Sequence, residues 1–271
     1  MKICLIQHDI TWGKAAANID RVAALMARQP DARLYVLPEM WCTGFQTAPD
    51  ATTADAAREG WAWMEEEARR RDCYIAGSLP VVHGTEGRFA NRLVVMGPKG
   101  PVAQYDKRHL FTYGNEPLHY QPGTQRVVVS VDGVRILLQV CYDLRFPVFA
   151  RNRRDYDLAL YVANWPESRQ AVWNTLLRAR AIENQCYVAG ANRVGDDPQC
   201  HYAGGSALVD AYGKTVAELA DAEGAVAAEL DLARLARFRE KFAVLADADA
   251  FDLPDVTDIA AEGDSSAPQY F

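Results

Sequence analysis

Short apolar segments that fit β-strands alternate along the chain with longer segments of helical periodicity. The strand-like runs are nearly continuous in apolar residues, which is typical of strands covered on both faces. The predicted strands are residues 2–7, 34–37, 74–79, 91–96, 102–105, 127–131, 134–140, 158–162, 187–192, 207–210, 215–219 and 225–230. The predicted helices are residues 18–28, 54–71, 170–184 and 231–242. This order predicts one α/β domain over residues 1–246, with mixed sheets and helices on their outer faces.

The acidic residues are concentrated at the C-terminus. Of the 36 acidic residues, seven lie in residues 247–271, which contain no Lys or Arg, so the rest of the chain carries 29 charges of each sign. A neutral body has no basic stripe to neutralise a phosphate backbone, and we therefore expect no nucleic-acid partner. The acidic tail, residues 247–271, is predicted to be extended and to dock on a neighbouring subunit, or to be partly disordered.

The cysteines give no sign of a metal site or a disulfide framework. Six are present, and no two of them form a CxxC pair. Zinc sites and disulfide frameworks favour close, regular spacings, so we expect neither. The N-terminal segment MKICLIQHDI has too short an apolar run for a secretory signal, and no later segment approaches a membrane span. These features predict a reducing cytoplasm and no membrane association.

Three chemically versatile residues follow predicted strands directly or nearly so. Glu39 comes after residues 34–37, Lys107 after residues 102–105, and Cys141 after residues 134–140. In α/β sheets, reactive groups gather at strand ends because the scaffold is rigid and the loops vary freely. Taken singly, each has a simpler explanation: a cysteine after an apolar strand is usually core, and a loop glutamate or lysine is usually solvated.

The sequence around these residues resembles the three signature segments of the nitrilase superfamily, in that family's order of Glu, Lys and Cys. The segments are LPEM (37–40), YDKRHLF (105–111) and VCYDLRFP (140–147). The resemblance continues through VANWP (162–166), RARAIEN (178–184) and GGS (204–206), and so covers nearly the whole chain to about residue 230. Within the superfamily, RAIENQ (180–185) and GANRVG (190–195) are most similar to ω-amidases that act on 2-oxoglutaramate.

The resemblance implies a four-layer αββα sandwich that forms a homodimer or higher homo-oligomer, and an amidase that needs no metal or other cofactor. It also implies a thioester route in which Cys141 is the nucleophile. The residues fit this chemistry, because a carboxylate such as Glu39 can accept the thiol proton and a nearby Lys lowers the pKa of a cysteine. Lys107 and the backbone N–H of Tyr142 would stabilise the oxyanion.

Four further residues are predicted to complete the site. Glu116, nine residues after Lys107, is expected to orient Lys107 and water, although it could be an ordinary turn residue. Arg145 could bind a substrate carboxylate, or could be a structural anchor paired with Asp143 or Asp157. Trp165 and Phe45 are expected to wall the pocket, although large aromatic residues near strand ends are more often core.

The predicted activity is hydrolysis of the terminal amide of short 2-oxo dicarboxylic acid monoamides, such as 2-oxoglutaramate and 2-oxosuccinamate. A carbamoylase, a nitrilase or another aliphatic amidase remains an alternative, because these enzymes share the same triad. A papain-like Cys–His hydrolase is a second alternative, since five histidines are present. A catalytically silent binding protein on the same fold is a third, because fold does not dictate function.

Overall fold

The computed structural model describes residues 1–84 and 87–263. The strands in this part are β1 (Lys2–Gln7), β2 (Leu34–Val36), β3 (Tyr74–His83), β4 (Arg88–Gly97), β5 (Gly100–Asp106), β6 (Gln125–Val131), β7 (Val134–Val140), β8 (Leu158–Val162), β9 (Tyr187–Ala191), β10 (Val194–Asp196), β11 (His201–Ala203), β12 (Ala207–Val209), β13 (Thr215–Glu218), β14 (Gly224–Glu229) and β15 (Thr257–Glu262). The helices are α1 (Ala15–Met26), α2 (Ala51–Arg71), α3 (Gln170–Glu183) and α4 (Leu232–Lys241).

Two large mixed sheets face each other across one apolar core. The first has the strand order β14-β1-β2-β3-β4-β5, and the second has the order β13-β12-β9-β8-β7-β6-β15. Leu5 and Val36 of the first sheet belong to the same buried cluster as Ile136, Leu138 and Leu160 of the second. The core therefore lies between the sheets.

Helices cover the outer face of each sheet. Val22 of α1 and Met64 of α2 pack with Ile75 of the first sheet. Leu177 of α3 packs with Ala159 of the second sheet. The order of layers is helix, sheet, sheet, helix, which confirms the predicted αββα sandwich. Because the central strands are covered on both faces, their sequences are almost uninterrupted apolar runs.

The structure differs from the sequence predictions mainly at element boundaries. The strand predicted at residues 74–79 continues to His83, because β3 and β4 pair antiparallel from Ile75↔Met96 as far as His83↔Arg88. Cross-strand hydrogen bonds thus extend the strand beyond its apolar run. Helix α2 begins at Ala51, because Asp50 caps it by accepting a hydrogen bond from the Thr53 backbone N–H. The β10–β11 hairpin was not predicted.

Part of the acidic tail pairs with the second sheet of its own chain. Strand β15 runs parallel to β6, with Thr257 opposite Gln125. The Asp258 carboxylate lies 2.7 Å from Arg153 Nη1, and the Arg153 guanidinium stacks over Phe251. Docking of the tail on a partner subunit stays a prediction, and residues 264–271 lie outside the described residues. No helix in residues 1–84 and 87–263 is both long and apolar enough to cross a membrane.

Removing the tail is expected to destabilise the domain. Truncation after Ala246 deletes β15, exposes the β6 edge and removes Leu253, Val256 and Ile259 from the core that they pack against. A loss of about 2 kcal/mol or more would lower Tm by roughly 4–8 °C in a domain of this size. Differential scanning calorimetry of the truncated chain measures this, with Asp252→Asn in the exposed tail as the control. An unchanged Tm after truncation would show that β15 adds no stability.

Candidate active site

The two sheets bring Glu39, Lys107 and Cys141 together. Lys107 directly follows β5 of the first sheet, and Cys141 directly follows β7 of the second. Lys107 Nζ lies 3.0 Å from Glu39 Oε1 and 2.9 Å from Glu116 Oε2. The side chains of Glu39, Lys107 and Glu116 are fully buried. The Cys141 thiol donates to the Asn164 backbone carbonyl at 3.9 Å, and it lies near enough to the Glu39 carboxylate for that group to act on its pKa.

Cys141 occupies a strained backbone conformation. Its φ is +46°, in the left-handed region that non-glycine residues rarely adopt. Cys141 is also the first residue of a 3-10 turn over Cys141–Arg145. Such strain persists only where the surroundings enforce it, and it is frequent at functional sites. Tyr142 is the second residue of the turn, at the end where backbone N–H groups are not used within the helix. At this position the Tyr142 N–H has no partner within the turn, and its role as an oxyanion donor stays a prediction.

Asp143 fastens the Cys141 turn to the Lys107 loop. Its Oδ2 accepts hydrogen bonds from the Val140 backbone N–H at 2.9 Å and from the Tyr105 hydroxyl at 2.7 Å. Its Oδ1 accepts one from the His109 backbone N–H at 3.0 Å. A single buried carboxylate therefore fixes the segment before the cysteine and the segments on both sides of Lys107. It follows that the Cys141–Lys107 geometry is set before substrate binds.

Asn91 of β4 is a site residue that the sequence analysis missed. Its Nδ2 donates to Glu39 Oε1 at 2.7 Å and to Glu116 Oε1 at 3.2 Å, and its backbone carbonyl accepts from the Lys107 backbone N–H at 3.0 Å. Asn164 makes a second contact, with its backbone N–H donating to Glu39 Oε2 at 2.9 Å. A buried polar residue inside an apolar strand was the available signal for Asn91, since such groups require partners.

The charges in this cluster depend on one another. Burial by itself would lower the pKa of Lys107, but attraction to Glu116 and then to Glu39 outweighs burial and raises that pKa above its usual value. The ammonium therefore stays charged at neutral pH. Burial raises the pKa of Glu116, against the opposing attraction of Lys107. The cluster thus holds one permanent cation beside two carboxylates.

The thiol of Cys141 differs from the sequence expectation. The charge of Lys107 does act to lower the pKa of Cys141, as expected from the sequence. Burial and the Glu39 carboxylate outweigh it and raise the pKa well above the usual value for cysteine. The resting group is therefore a neutral thiol beside Glu39 rather than a free thiolate. A nucleophile of this kind needs a base beside it, and Glu39 is the charged group with the largest effect on the thiol.

Replacing Asn91 by leucine is expected to shift the acid limb of the pH profile upward. A hydrogen bond to a carboxylate favours its charged form, so losing the Asn91 bond makes Glu116, whose pKa burial already raises, easier to protonate. Loss of one charged hydrogen bond is worth roughly 1.5–3 kcal/mol, which corresponds to a shift of about one to two pH units. The pH dependence of kcat/KM measures this. A variant that loses activity equally at every pH would show a purely structural role for Asn91.

A pocket leads to Cys141, and the other predicted residues line it. Phe45, Tyr142, Arg145 and Trp165 are in its wall, and its cavity volume is about 120 Å³. The Arg145 guanidinium stacks over the Trp165 ring at 5.2 Å. Lys107 Nζ lies 5.4 Å from the centre of the Phe45 ring. This volume is well below the roughly 300–1,000 Å³ of pockets for drug-sized ligands, and it suits a short amide rather than a peptide.

The structural alternative for Arg145 is not realised. Asp157 pairs with Arg135 and Arg239, both at 2.7 Å. Asp143 is occupied by the Cys141 and Lys107 segments. Neither carboxylate is paired with Arg145, whose side chain lines the pocket and stacks over Trp165.

The β10–β11 hairpin completes the pocket. Asp197, Gln199, Cys200 and Tyr202 line it from this side, and Arg169 lines it from the segment before α3. None of the described residues that line the pocket is a histidine. His109, the histidine nearest in sequence to Lys107, instead lies with Nδ1 2.7 Å from Asp143 Oδ1. This geometry disfavours a papain-like Cys–His pair.

Comparison with known proteins agrees with this site. The family model for carbon-nitrogen hydrolases matches residues 2–240. The chain is 46% identical over 257 residues to omega-amidase YafV of Escherichia coli K12, covering 93% of this chain and 98% of that protein. It is 34% identical over 251 residues to the 2-oxoglutaramate amidase of Bacillus subtilis 168, and the alignment covers 90% of this chain and 96% of that protein.

A solved structure shows the same fold. It is a CN-hydrolase superfamily protein from Xanthomonas campestris, with an arsenic adduct in its active site, and it superposes with a TM-score of 0.86 at 42% identity. The alignment covers 93% of this chain and 98% of that one. These likenesses confirm the nitrilase-type resemblance predicted from the sequence. The chain belongs to the carbon-nitrogen hydrolase family.

Proposed function

We propose that this enzyme hydrolyses the terminal amide of short 2-oxo dicarboxylic acid monoamides to the 2-oxo acid and ammonia. The observation that carries the proposal is a buried Glu39–Lys107–Cys141 cluster that opens into a small pocket with Arg145 in its wall. The similarity to proteins named omega-amidase and 2-oxoglutaramate amidase supports the choice of substrate. 2-Oxoglutaramate and 2-oxosuccinamate are the expected substrates.

The first half-reaction forms a thioester. Glu39 accepts the Cys141 proton while Sγ attacks the amide carbon, so that no free thiolate has to accumulate in the buried site. Lys107 and the Tyr142 backbone N–H stabilise the negative charge that develops on the amide oxygen. The C–N bond then breaks, and the nitrogen leaves as ammonia with the proton that Glu39 returns. Glu116 holds Lys107 in place from its other side.

The second half-reaction hydrolyses the thioester. Glu39, again a carboxylate, takes a proton from water, and the resulting hydroxide attacks the thioester carbon. Lys107 stabilises the second oxyanion in the same position. Collapse releases the carboxylic acid, and the proton on Glu39 returns to Cys141. The net reaction consumes one amide and one water and produces one acid and one ammonia.

The carboxylate end of the substrate, opposite the amide, is proposed to bind at the pocket wall. Arg145 binds the substrate carboxylate, because a planar guanidinium suits a planar carboxylate and no protein carboxylate competes for it within the described chain. Trp165 and Phe45 form apolar walls on either side of the short methylene chain. The same cluster could serve a carbamoylase, a nitrilase or another aliphatic amidase, so the substrate panel below includes compounds for these activities.

The enzyme is further proposed to be a homodimer or higher homo-oligomer in a reducing cytoplasm. All six cysteines are free thiols, which supports a reducing compartment. Val148, Ile182 and Phe242 are large apolar side chains that are at least half exposed on the single chain, and this supports self-association. Light scattering coupled to size-exclusion chromatography measures the oligomeric state, and a monomer at micromolar concentration would contradict the proposal.

Ammonia release from a panel of amides tests the substrate assignment. The panel is 2-oxoglutaramate, 2-oxosuccinamate, glutamine, an N-carbamoyl amino acid and a simple aliphatic nitrile. We expect the two oxo-acid amides to have the highest kcat/KM. The two should differ by no more than about 200-fold, because one methylene is worth only about 1–3 kcal/mol in a pocket. Preferred turnover of the carbamoyl compound or the nitrile would reject the assignment.

A further inference from the structure

Two arginines of the substrate pocket have no protein partner for their charge. Arg145 stacks over Trp165 at 5.2 Å, and Arg169 stacks over Phe111 at 5.5 Å. Both line the cavity that contains Cys141. Neither guanidinium forms an ion pair or a side-chain hydrogen bond with any residue in 1–84 or 87–263. Five N–H donors on each therefore remain available to a ligand.

Elsewhere in the described chain, several sheltered arginines pair with carboxylates, and others, such as Arg88 and Arg151, donate to backbone carbonyls instead. Arg126 is 2.5 Å from Asp155, and Arg193 is 3.2 Å from Asp9. Arg135 lies 2.7 Å from Asp157. Because sheltered charges are normally paired, two unpaired guanidiniums in one cavity indicate that an anionic ligand supplies the missing partner.

Trp165 connects the two arginines. Its ring faces the Arg145 guanidinium, and its Nε1–H donates to the Arg169 backbone carbonyl at 2.8 Å. The ring is almost completely buried. One rigid aromatic side chain thus supports the side chain of one arginine and the backbone of the other. The pair is preorganised, which reduces the entropy lost when a ligand binds.

The carboxylates near the pocket are already occupied. Asp197 accepts hydrogen bonds from the Tyr202 hydroxyl at 2.5 Å and from the backbone N–H groups of Gln199 and Cys200, both at 2.7 Å. Glu39 and Glu116 share Lys107. On the described pocket wall, a ligand ammonium group would therefore find Asp197 with its oxygens already hydrogen-bonded to neutral donors, and it would meet two arginines that have no ion-pair partner.

We propose that Arg145 and Arg169 together bind the carboxylate and the adjacent 2-oxo oxygen of the substrate, and that they exclude amides carrying an α-ammonium group. This inference rests on the proposed function and adds a second specificity-determining residue, Arg169, to it. A 2-oxo acid amide presents only acceptors to the two guanidiniums, which are donors. Glutamine and asparagine place an ammonium group where the oxo oxygen would lie, so they bring like charges together.

Kinetics with matched substrates test the assignment. We compare 2-oxoglutaramate, glutamine and pentanamide, which has the same carbon chain without either polar group. Arg169→Met is expected to lower kcat/KM for 2-oxoglutaramate about 10- to 100-fold, the usual effect of losing charged hydrogen bonds, and to change pentanamide turnover less than about twofold. The preference for 2-oxoglutaramate over glutamine should shrink by a similar factor. Arg145→Met should lower kcat/KM for 2-oxoglutaramate to a similar extent. The kcat/KM of Arg169→Lys should lie between those of Arg169→Met and wild type.

Arg178→Met is the control, because Arg178 lies on α3 with an exposed side chain that binds Asn174 O and Thr215 Oγ1. It is expected to behave as wild type with all three substrates. If Arg169→Met slows pentanamide and 2-oxoglutaramate equally, the two-arginine proposal is overturned while the proposed function stands. If the wild type hydrolyses pentanamide but not 2-oxoglutaramate, the proposed function fails first.

A binding measurement separates recognition from catalysis. Isothermal titration of 2-oxoglutarate, the expected product, uses a Cys141→Ala background with and without Arg169→Met. We expect Kd to rise about 10- to 100-fold in the double variant. Equal affinity in the two proteins would overturn the proposal whatever the turnover data show. Circular dichroism and Tm of each variant establish that the fold is retained.

Discussion

Replacing Cys141 by alanine is expected to reduce ammonia release from 2-oxoglutaramate by about 10⁴-fold or more, which is the scale of losing a covalent nucleophile. The alanine removes the atom that forms the thioester and leaves Glu39, Lys107 and the pocket in place. Water would then have to attack an unactivated amide directly. Steady-state ammonia release and substrate binding, measured on the same preparation, should show lost turnover with retained affinity.

Cys141→Ser and Cys200→Ala sharpen this test. A serine hydroxyl is a weaker nucleophile with a much higher pKa, so we expect Cys141→Ser to be almost as inactive as Cys141→Ala. Cys200 is a second thiol in the wall of the same pocket, without a contact to Glu39 or Lys107, and Cys200→Ala should retain activity. Acid-quenched mass spectrometry should find the acyl group on Cys141 in wild type. Normal turnover by Cys141→Ala would refute the thioester route.

Replacing Lys107 by methionine is expected to damage both catalysis and stability. The variant loses an oxyanion donor, which typically costs about 10²–10³ in rate. It also leaves Glu39 and Glu116 fully buried without the cation that lies 3.0 and 2.9 Å from them. Removing one partner of a buried ion pair costs about 3–5 kcal/mol. Calorimetry should therefore show a large fall in Tm, and assays should show a fall in kcat.

A second variant separates these two effects. Lys107→Met combined with Glu116→Gln removes one carboxylate along with the cation, and it should recover much of the lost Tm. The same double variant should remain inactive, because the oxyanion donor is still missing. Lys99→Met, at an exposed lysine of the β4–β5 turn, is the control for loss of a positive charge. Wild-type kcat in Lys107→Met at a temperature where it is folded would contradict the assigned role.

The reactive residues could be predicted from the sequence because each lies in a short contiguous motif. Glu39, Lys107 and Cys141 each follow a strand-like run, and each lies inside a short segment whose residues can be read directly. The apolar runs also determine the sandwich, since strands with two apolar faces must be covered on both sides. Strand ends such as His83 were not predictable to the residue, because the β3–β4 ladder continues on cross-strand hydrogen bonds after the apolar pattern ends.

Residues whose roles depend on long-range contacts could not be recognised in this way. Asn91 lies within a strand 52 residues from Glu39 in sequence, and only the packing of β4 places its amide between the two carboxylates. Arg169 was indistinguishable from other arginines until the pocket showed that its charge has no protein partner. The same holds for the thiol of Cys141, since the balance among burial, Glu39 and Lys107 depends on distances.

The sequence by itself determined the family, the layered α/β architecture and the three reactive side chains, because each of these is encoded in contiguous residues and their periodicity. The tertiary structure alone decided how the charges are shared. In the folded chain Lys107 forms ion pairs with both Glu39 and Glu116, and Cys141 is a protonated thiol beside Glu39. Arg145 and Arg169 line the pocket without an ion-pair partner. The physical reason is that electrostatic energies depend on separation and burial, and both are properties of the folded chain.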